Sequence, residues 1–234
     1  MIRRILLMFR NGVIAMYTLL DLSHTLEPGM PRFTGFDAPY IRPVWTHADA
    51  PERGYQDTSC ELTEVSFVTS IGTYLDAPFH FDPDGLDISQ LSLSQLVLPG
   101  MVLDLCDWAA PDRPLPADAL SGLDVDGKAL LLYTGWSRYW GDDDYHHHPF
   151  VPRDMADRLR AMRPALLGID TLVVDSTQDS TRPAHTLLLR AGILIVENLS
   201  GLDGLTGETF TFVAVPVKVA RAAAFPVRAF AMVK

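Results

Sequence analysis

The chain has no run or stripe of basic residues: 19 Lys and Arg face 29 Asp and Glu, giving a formal net charge of −10 over 234 residues. With no basic surplus to neutralise phosphates, nucleic acid is excluded as the main partner. No stretch reaches the roughly 18 uninterrupted apolar residues of a membrane span. There are only two cysteines, Cys60 and Cys106. They lie far apart in apolar surroundings, a pattern of buried free thiols in a reducing compartment and not of a disulfide framework. A glycine-rich phosphate loop, a G-x-S-x-G elbow, a C-x-x-C pair and internal repeats are missing too. Nucleotide binding, the common serine-hydrolase fold and thiol redox chemistry therefore fall away.

What remains is the composition of an ordinary globular protein, 48% hydrophobic and 21% charged, with a mean hydropathy of +0.12. The 17 Pro and 16 Gly call for many turns. A chain of this length buries a full core and is expected to form one domain. Arg3 and Arg4 precede the apolar Ile5–Phe9, but Arg10 and Asn11 cut that run short of a signal-peptide core, and no small-x-small cleavage site follows. Residues 1–15 are therefore read as a frayed extension ahead of a domain spanning 16–234, with a cytoplasmic location expected.

The pattern along the chain is mixed α/β, with strands in succession early and helix–strand alternation later. Leu19–His24 reads as a short strand leaving into a Pro/Gly-rich loop. Val65, Phe67 and Thr69 at period two mark a strand over 61–69. Met101–Cys106 and the apolar run Ala129–Tyr133 read as further strands. Val151, Met155, Leu159 and Met162 form the stripe of an amphipathic helix that Pro152 opens. Ala165–Ile169 follows as a strand, His185–Ala191 as a helix stopped by Gly192, and Ile193–Val196 as a buried strand delivering Glu197 at its end. Two closing strands are expected over 210–219 and 225–233, the first interrupted by Pro216.

The most unusual chemistry lies in Ser70–Phe81, where Asp76 and His80 stand four residues apart. Gly72 permits a positive φ and Pro78 fixes the backbone between the two, so the segment reads as a rigid turn that aims polar side chains, in preference to a continuing strand. Asp76, His80, His185 and Glu197 all fall at strand ends, turns or helix starts. Carboxylate and imidazole donors in that number suit a divalent ion such as Zn²⁺ or Mn²⁺. Glu197, directly after four apolar residues, is costly to bury unless paired or metal-bound. His146-His147-His148 sits among Asp142–Asp144 and Pro149 and reads as a solvated loop. Ser70, Asp76 and His80 include the residue types of a nucleophilic triad, but their nearness in sequence does not establish its geometry. Trp136, Tyr139 and Trp140 are equally suited to an aromatic pocket wall and to core or interface.

The stretch Ser70–His80 resembles the H-x-G-T-H-x-D-x-P-x-H signature of the metal-dependent cyclase/hydrolase family that includes bacterial kynurenine formamidase and isatin hydrolase. Asp21-Leu22-Ser23-His24 with Gly29-Met30-Pro31, Thr134-Gly135-Trp136-Ser137, Gly168-Ile169-Asp170-Thr171, and His185–Leu189 followed by Ile195–Leu199 resemble further family segments in the expected order. The resemblance implies a single-domain α/β fold of the swivelling β/β/α type with a mixed sheet. It also implies hydrolysis of an amide or formamide such as N-formylkynurenine, a place in tryptophan catabolism, and a homodimer or larger homo-oligomer.

The family's two motif histidines, both metal ligands, fall here on Ser70 and Tyr74, and neither hydroxyl replaces a neutral imidazole well. Carried across residue by residue, the resemblance leaves Asp76, His185 and Glu197 as ligands for one divalent ion, Zn or Mn, and His80 as general acid/base. The alternative is a degenerate member that has lost its metal and acts as a small-molecule-binding or interaction protein.

Overall fold

The computed structural model describes the backbone of residues 3–8 and 14–234 and the side chains of residues 16–234. Its strands are β1 (Arg3–Met8), β2 (Ile14–Asp21), β3 (Tyr40–Trp45), β4 (Leu62–Ser66), β5 (Tyr74–Asp76) and β6 (Val97–Asp104), then β7 (Ala129–Tyr133), β8 (Leu166–Ile169), β9 (Leu194–Glu197), β10 (Phe210–Val213), β11 (Ala224–Pro226) and β12 (Phe230–Val233). The α-helices are α1 (Arg153–Met162) and α2 (Pro183–Arg190). Among the described residues, ten strands form one sheet in the order β1-β2-β12-β10-β6-β7-β8-β9-β5-β11, and β3 and β4 pair as a separate two-stranded sheet. The pairs β6–β7, β7–β8 and β8–β9 are parallel and the rest antiparallel. This is the single α/β fold with a mixed sheet that the sequence implied. Among the described residues no helix is long and apolar enough to cross a membrane.

The central strands are buried on both faces, as parallel strands between two layers must be, and so they read as continuous apolar runs. Leu130 and Leu132 of β7, Leu167 and Ile169 of β8 and Ile195 of β9 pack against Met155, Ala156 and Leu159 of α1 and Ala184, Leu188 and Leu189 of α2. The opposite side chains, Leu131, Leu166, Leu194 and Val196, pack with Leu22, Leu75, Phe212 and Ala231 where the antiparallel half of the sheet curls over them. Both helices therefore lie on one face. That arrangement places the first turn of α2 beside the ends of β5 and β9, where the candidate residues gather.

Several local expectations are corrected. Arg3–Met8, expected to fray, pairs with Ile14–Asp21; residues 1–2 and 9–13 lie outside the described residues. The strand expected over 61–69 shortens to β4 in the separate two-stranded sheet, and Val65 is 47% exposed, so its period-two pattern does not mark a core face. Ser70–Phe81 is not turn throughout, because β5 runs through it. The sixth strand begins at Val97, before the expected Met101, carrying Pro99 and Gly100 within it. The tenth strand ends at Val213, short of Pro216, and the last expected strand divides into β11 and β12. Cys60 and Cys106 are free but only half-buried.

Candidate active site

β5 lies antiparallel to β9 with Tyr74 opposite Glu197 and Asp76 opposite Ile195. Side chains two apart on a strand share a face, as do residues directly opposite across a ladder. Tyr74, Asp76 and Glu197 therefore point to the same side, the one that Ile195 shares with α2. Gly72 enters this segment at φ +64°, as its position predicts. The Gly72 carbonyl accepts from Asn198 Nδ2 at 2.8 Å, and Thr73 Oγ1 donates to the Asn198 carbonyl at 2.6 Å, which clips the two strand ends together. After Asp76, Pro78 starts a one-turn 3-10 helix, Pro78–His80, that brings the His80 ring back toward the strand.

The resulting cluster brings Asp76, His80 and His185 together, and Glu197 joins it through His185. His80 Nε2 lies 3.7 Å from Asp76 Oδ1, and His185 Nε2 lies 3.7 Å from Asp76 Oδ2 and 3.3 Å from Glu197 Oε1. Donor atoms of Asp76, His80 and His185 lie within 4.8 Å of one another. Four ligands about 2.1 Å from a tetrahedral ion stand about 3.4 Å apart, so these spacings are near those of a metal shell. His80, expected only as a proton carrier, thus falls inside the ligand-spaced group. Tyr74 donates its hydroxyl to Glu197 Oε2. No hydrogen bond joins Ser70 to His80 among the described residues, and the triad reading gains no geometry.

Burial sets the electrostatics. Asp76, Asp175 and Glu197 are fully buried and His185 is 4% exposed, whereas the His80 side chain keeps 30% of its surface in solvent. Burial pushes the Asp76 carboxyl above its ordinary value against the pull of His185 and His80. Burial also works against charge on His185, but the Glu197 carboxylate, the hydrogen bond to Asp175 and the nearby Asp76 carboxylate outweigh it and hold the imidazole well above its usual pKa. Burial, then Glu197 and Asp76, push the Tyr74 phenol well above 10, so it remains a donor. Phe81 stacks on His185 at 4.8 Å and closes the apolar side.

Among the described residues, neither oxygen of the buried Asp76 has a hydrogen-bond partner. Such a carboxyl group is expensive to bury, and Asp76, Asp175 and Glu197 set three fully buried carboxyl groups around one buried imidazole. The donor set therefore fits a divalent cation.

One functional residue was not visible in the sequence. Asp175 accepts the Ala184 and His185 backbone N–H groups, capping the first turn of α2, and accepts from His185 Nδ1 as well. This turns Nε2 toward Asp76 and Glu197. An Asp eight residues before a helix start at Pro183 has no sequence signature that separates it from Asp170 or Asp179. Asp170 instead takes Thr134 N, Thr134 Oγ1 and Trp136 N, with burial raising its pKa to about 6. The solvated-loop reading of the three histidines is also corrected. His147 is exposed and paired with Asp112, but His148 is 2% exposed, with Nδ1 held by the Pro149 carbonyl and Nε2 without a partner. Trp136 is core, packed with Tyr145, Leu172 and Val173, while Trp140 stacks on His24.

Comparison with known proteins agrees with this architecture. Residues 20–176 match the family model Cyclase, described as "Putative cyclase". The chain is 30% identical over 213 residues to the kynurenine formamidase of Geobacillus thermodenitrificans, covering 90% of this chain and 95% of that one. It is 29% identical over 214 residues to that of Maricaulis maris, covering 92% and 97%. Among solved structures it superimposes on an isatin hydrolase bound to thioisatinate with a TM-score of 0.81 at 22% identity, covering 92% and 91% of the two chains, a likeness of fold. A metal-dependent hydrolase predicted from Bacillus stearothermophilus matches with a TM-score of 0.75 at 26% identity, covering 93% and 99%.

Proposed function

This chain belongs to the cyclase family, and from that premise we propose that it hydrolyses the C–N bond of a small amide or formamide, with N-formylkynurenine as reference substrate and cyclic amides as the related class. The observation that carries the reading is the Asp76 carboxylate, fully buried with neither oxygen hydrogen-bonded, facing two imidazoles at 3.7 Å. Asp76, His185 and Glu197 would hold one divalent cation, Zn²⁺ or Mn²⁺. A cation there supplies Lewis acidity, polarising the substrate carbonyl and acidifying water.

The remaining work falls to the chain's own groups. His80 stands at the solvent side of the cluster, with its Nε2 3.7 Å from Asp76 Oδ1. Its Nε2 takes the proton from the attacking water and returns it to the departing amine nitrogen, so one imidazole serves as base and then as acid. Asp175 keeps the His185 ring from turning, and Phe81 keeps water off its face. A small-molecule substrate and a homo-oligomeric assembly complete the reading; support for both comes from the family resemblance alone.

The test is metal analysis of protein purified without chelator or nickel resin, with turnover of N-formylkynurenine and of cyclic amides measured on the same sample. Stoichiometric metal that is lost in His185→Ala and Glu197→Ala supports the reading. Absence of both metal and turnover, with small-molecule binding intact, gives the degenerate binding protein instead.

A further inference from the structure

Tyr74 and Glu197 are direct neighbours across the β5–β9 ladder, and their side chains meet on the face that carries Asp76. The two Glu197 oxygens have divided surroundings. Oε1 accepts the Val174 N–H at 2.6 Å and faces His185 Nε2 at 3.3 Å. Among the described residues, Oε2 has one partner, the Tyr74 hydroxyl. Glu197 is fully buried and Tyr74 is 5% exposed, so no bulk water stands ready to replace that donor. The phenol proton lies between two oxygens, where a cation approaching Oε2 would meet it head on.

We infer that Tyr74 is a positioning residue: its hydroxyl holds Glu197 with Oε1 turned toward His185 and withdraws Oε2 from metal binding, so that the site takes a single cation. This rests on the reading of Asp76, His185 and Glu197 as a cation site.

The division follows from the sheet. A residue directly opposite Glu197 has its Cβ about 5 Å away, too close for a long flexible side chain to avoid the carboxylate and close enough for a rigid ring to reach past it. The phenol has two rotatable bonds and one donor, so it fixes its acceptor with little loss of rotamer freedom. Without the hydroxyl, Oε2 is a buried anion oxygen with no donor, and the carboxylate must turn to share what Oε1 already has, the Val174 N–H. Turning takes Oε1 out of line with His185. The predicted consequence is a weaker cation site in a chain that is otherwise folded.

The experiment strips wild type and Tyr74→Phe with chelator, titrates each with Zn²⁺ against a chromophoric competitor, and records the melting of the stripped forms. Wild type is expected to take one equivalent, and Tyr74→Phe to bind about 10- to 100-fold more weakly, the usual cost of removing a partner that orients a ligand. A merely structural role would lower the melting temperature of the stripped variant and leave the affinity of the folded fraction where it was. Affinity within about threefold of wild type, set against that expected range, overturns the inference. So does a wild-type stoichiometry of two, which decides the matter even if Tyr74→Phe does not fold. A wild-type chain that takes no Zn²⁺ overturns the cation reading itself and this inference with it, whereas one equivalent with an unaltered variant overturns the role of Tyr74 alone.

Discussion

Asp175 Oδ2 lies 2.6 Å from His185 Nδ1 and 3.0 Å from the backbone N–H of the same residue. One carboxylate oxygen thus fixes both the start of a helix and the direction of the imidazole it carries. The link joins folding to chemistry: the first turn of α2 needs an acceptor, and the same acceptor aims Nε2 at Asp76 and Glu197.

Replacing Asp175 by Asn keeps the size and puts an amide where His185 needs an acceptor on each contact. The expected result is a 10- to 100-fold loss of Zn²⁺ affinity, about what losing the partner of a ligating histidine costs. Competition titration reads it. Unchanged affinity would show that Phe81 stacking alone suffices to hold the ring.

His80→Ala separates proton transfer from cation binding. If His80 works as acid and base, turnover falls by about 10²- to 10⁴-fold while metal content stays stoichiometric. Its ring lies within ligand distance of the group, so the metal measurement is the discriminating one. Loss of metal in the variant would move His80 from proton carrier to ligand.

How much of this was legible follows from where each signal is encoded. Ala129–Tyr133 and the stripe Met155–Leu159 announced themselves because a strand buried on two faces and a helix buried on one each write their burial into their own residues. β5 did not, since a three-residue strand has no periodicity and exists because β9, far along the chain, offers it a partner. Asp76, His80, His185 and Glu197 were readable as polar groups in apolar or turn contexts. Asp175 was not, because its role lies in two N–H groups and an imidazole that local sequence does not place. His148 was misread for the same reason in reverse: its neighbours Asp142–Asp144 and His147 are polar and exposed, but the chain then dives under Val151.

The His24 ring stacks on Trp140 at 3.7 Å, and burial lowers its pKa from 6.5 to about 4. Below pH 6.5 the unfolded chain takes up a proton that the folded chain refuses until about pH 4. The stability this represents is complete above pH 6.5 and is lost as the pH falls through that window. His24→Phe keeps an aromatic face against Trp140 and removes the proton. Between pH 7 and about pH 4 the melting temperature of the variant is expected to fall less than that of wild type. Parallel curves would show that His24 opens to solvent before it titrates.

Gly72→Ala tests the entry to the site. At φ +64° a side chain is strained, and its Cβ would stand 3.2 Å from Met30 Cε. A left-handed conformation costs a non-glycine residue about 1–2 kcal/mol, and each kcal/mol lowers the melting temperature of a chain this size by about 2–4 °C. The Gly72 carbonyl also accepts from Asn198, so the strain passes to the residue after Glu197. Both melting temperature and Zn²⁺ affinity should fall; a fall in the first alone would place the strain in the Met30 loop.

Asp76→Asn sets stability against function at one atom pair. Burial raises the Asp76 pKa, so the folded chain holds this proton more tightly than the unfolded chain. A group shifted in that direction favours folding fully below its unfolded pKa and loses that contribution as the pH rises through the folded value. Burial therefore works against the charged form of Asp76, which has no hydrogen bond to either oxygen among the described residues. An amide of the same shape carries no charge. Stripped of metal, Asp76→Asn should melt higher than stripped wild type, by about 2–4 °C for each kcal/mol relieved. Added Zn²⁺ should reverse the order, because wild type gains the free energy of a cation that binds only the folded state and the variant has lost a ligand. A variant that melts lower than wild type both with and without Zn²⁺ would mean that Asp76 is held by the charge on His185 and His80, and that the site is an ion-pair cluster needing no cation.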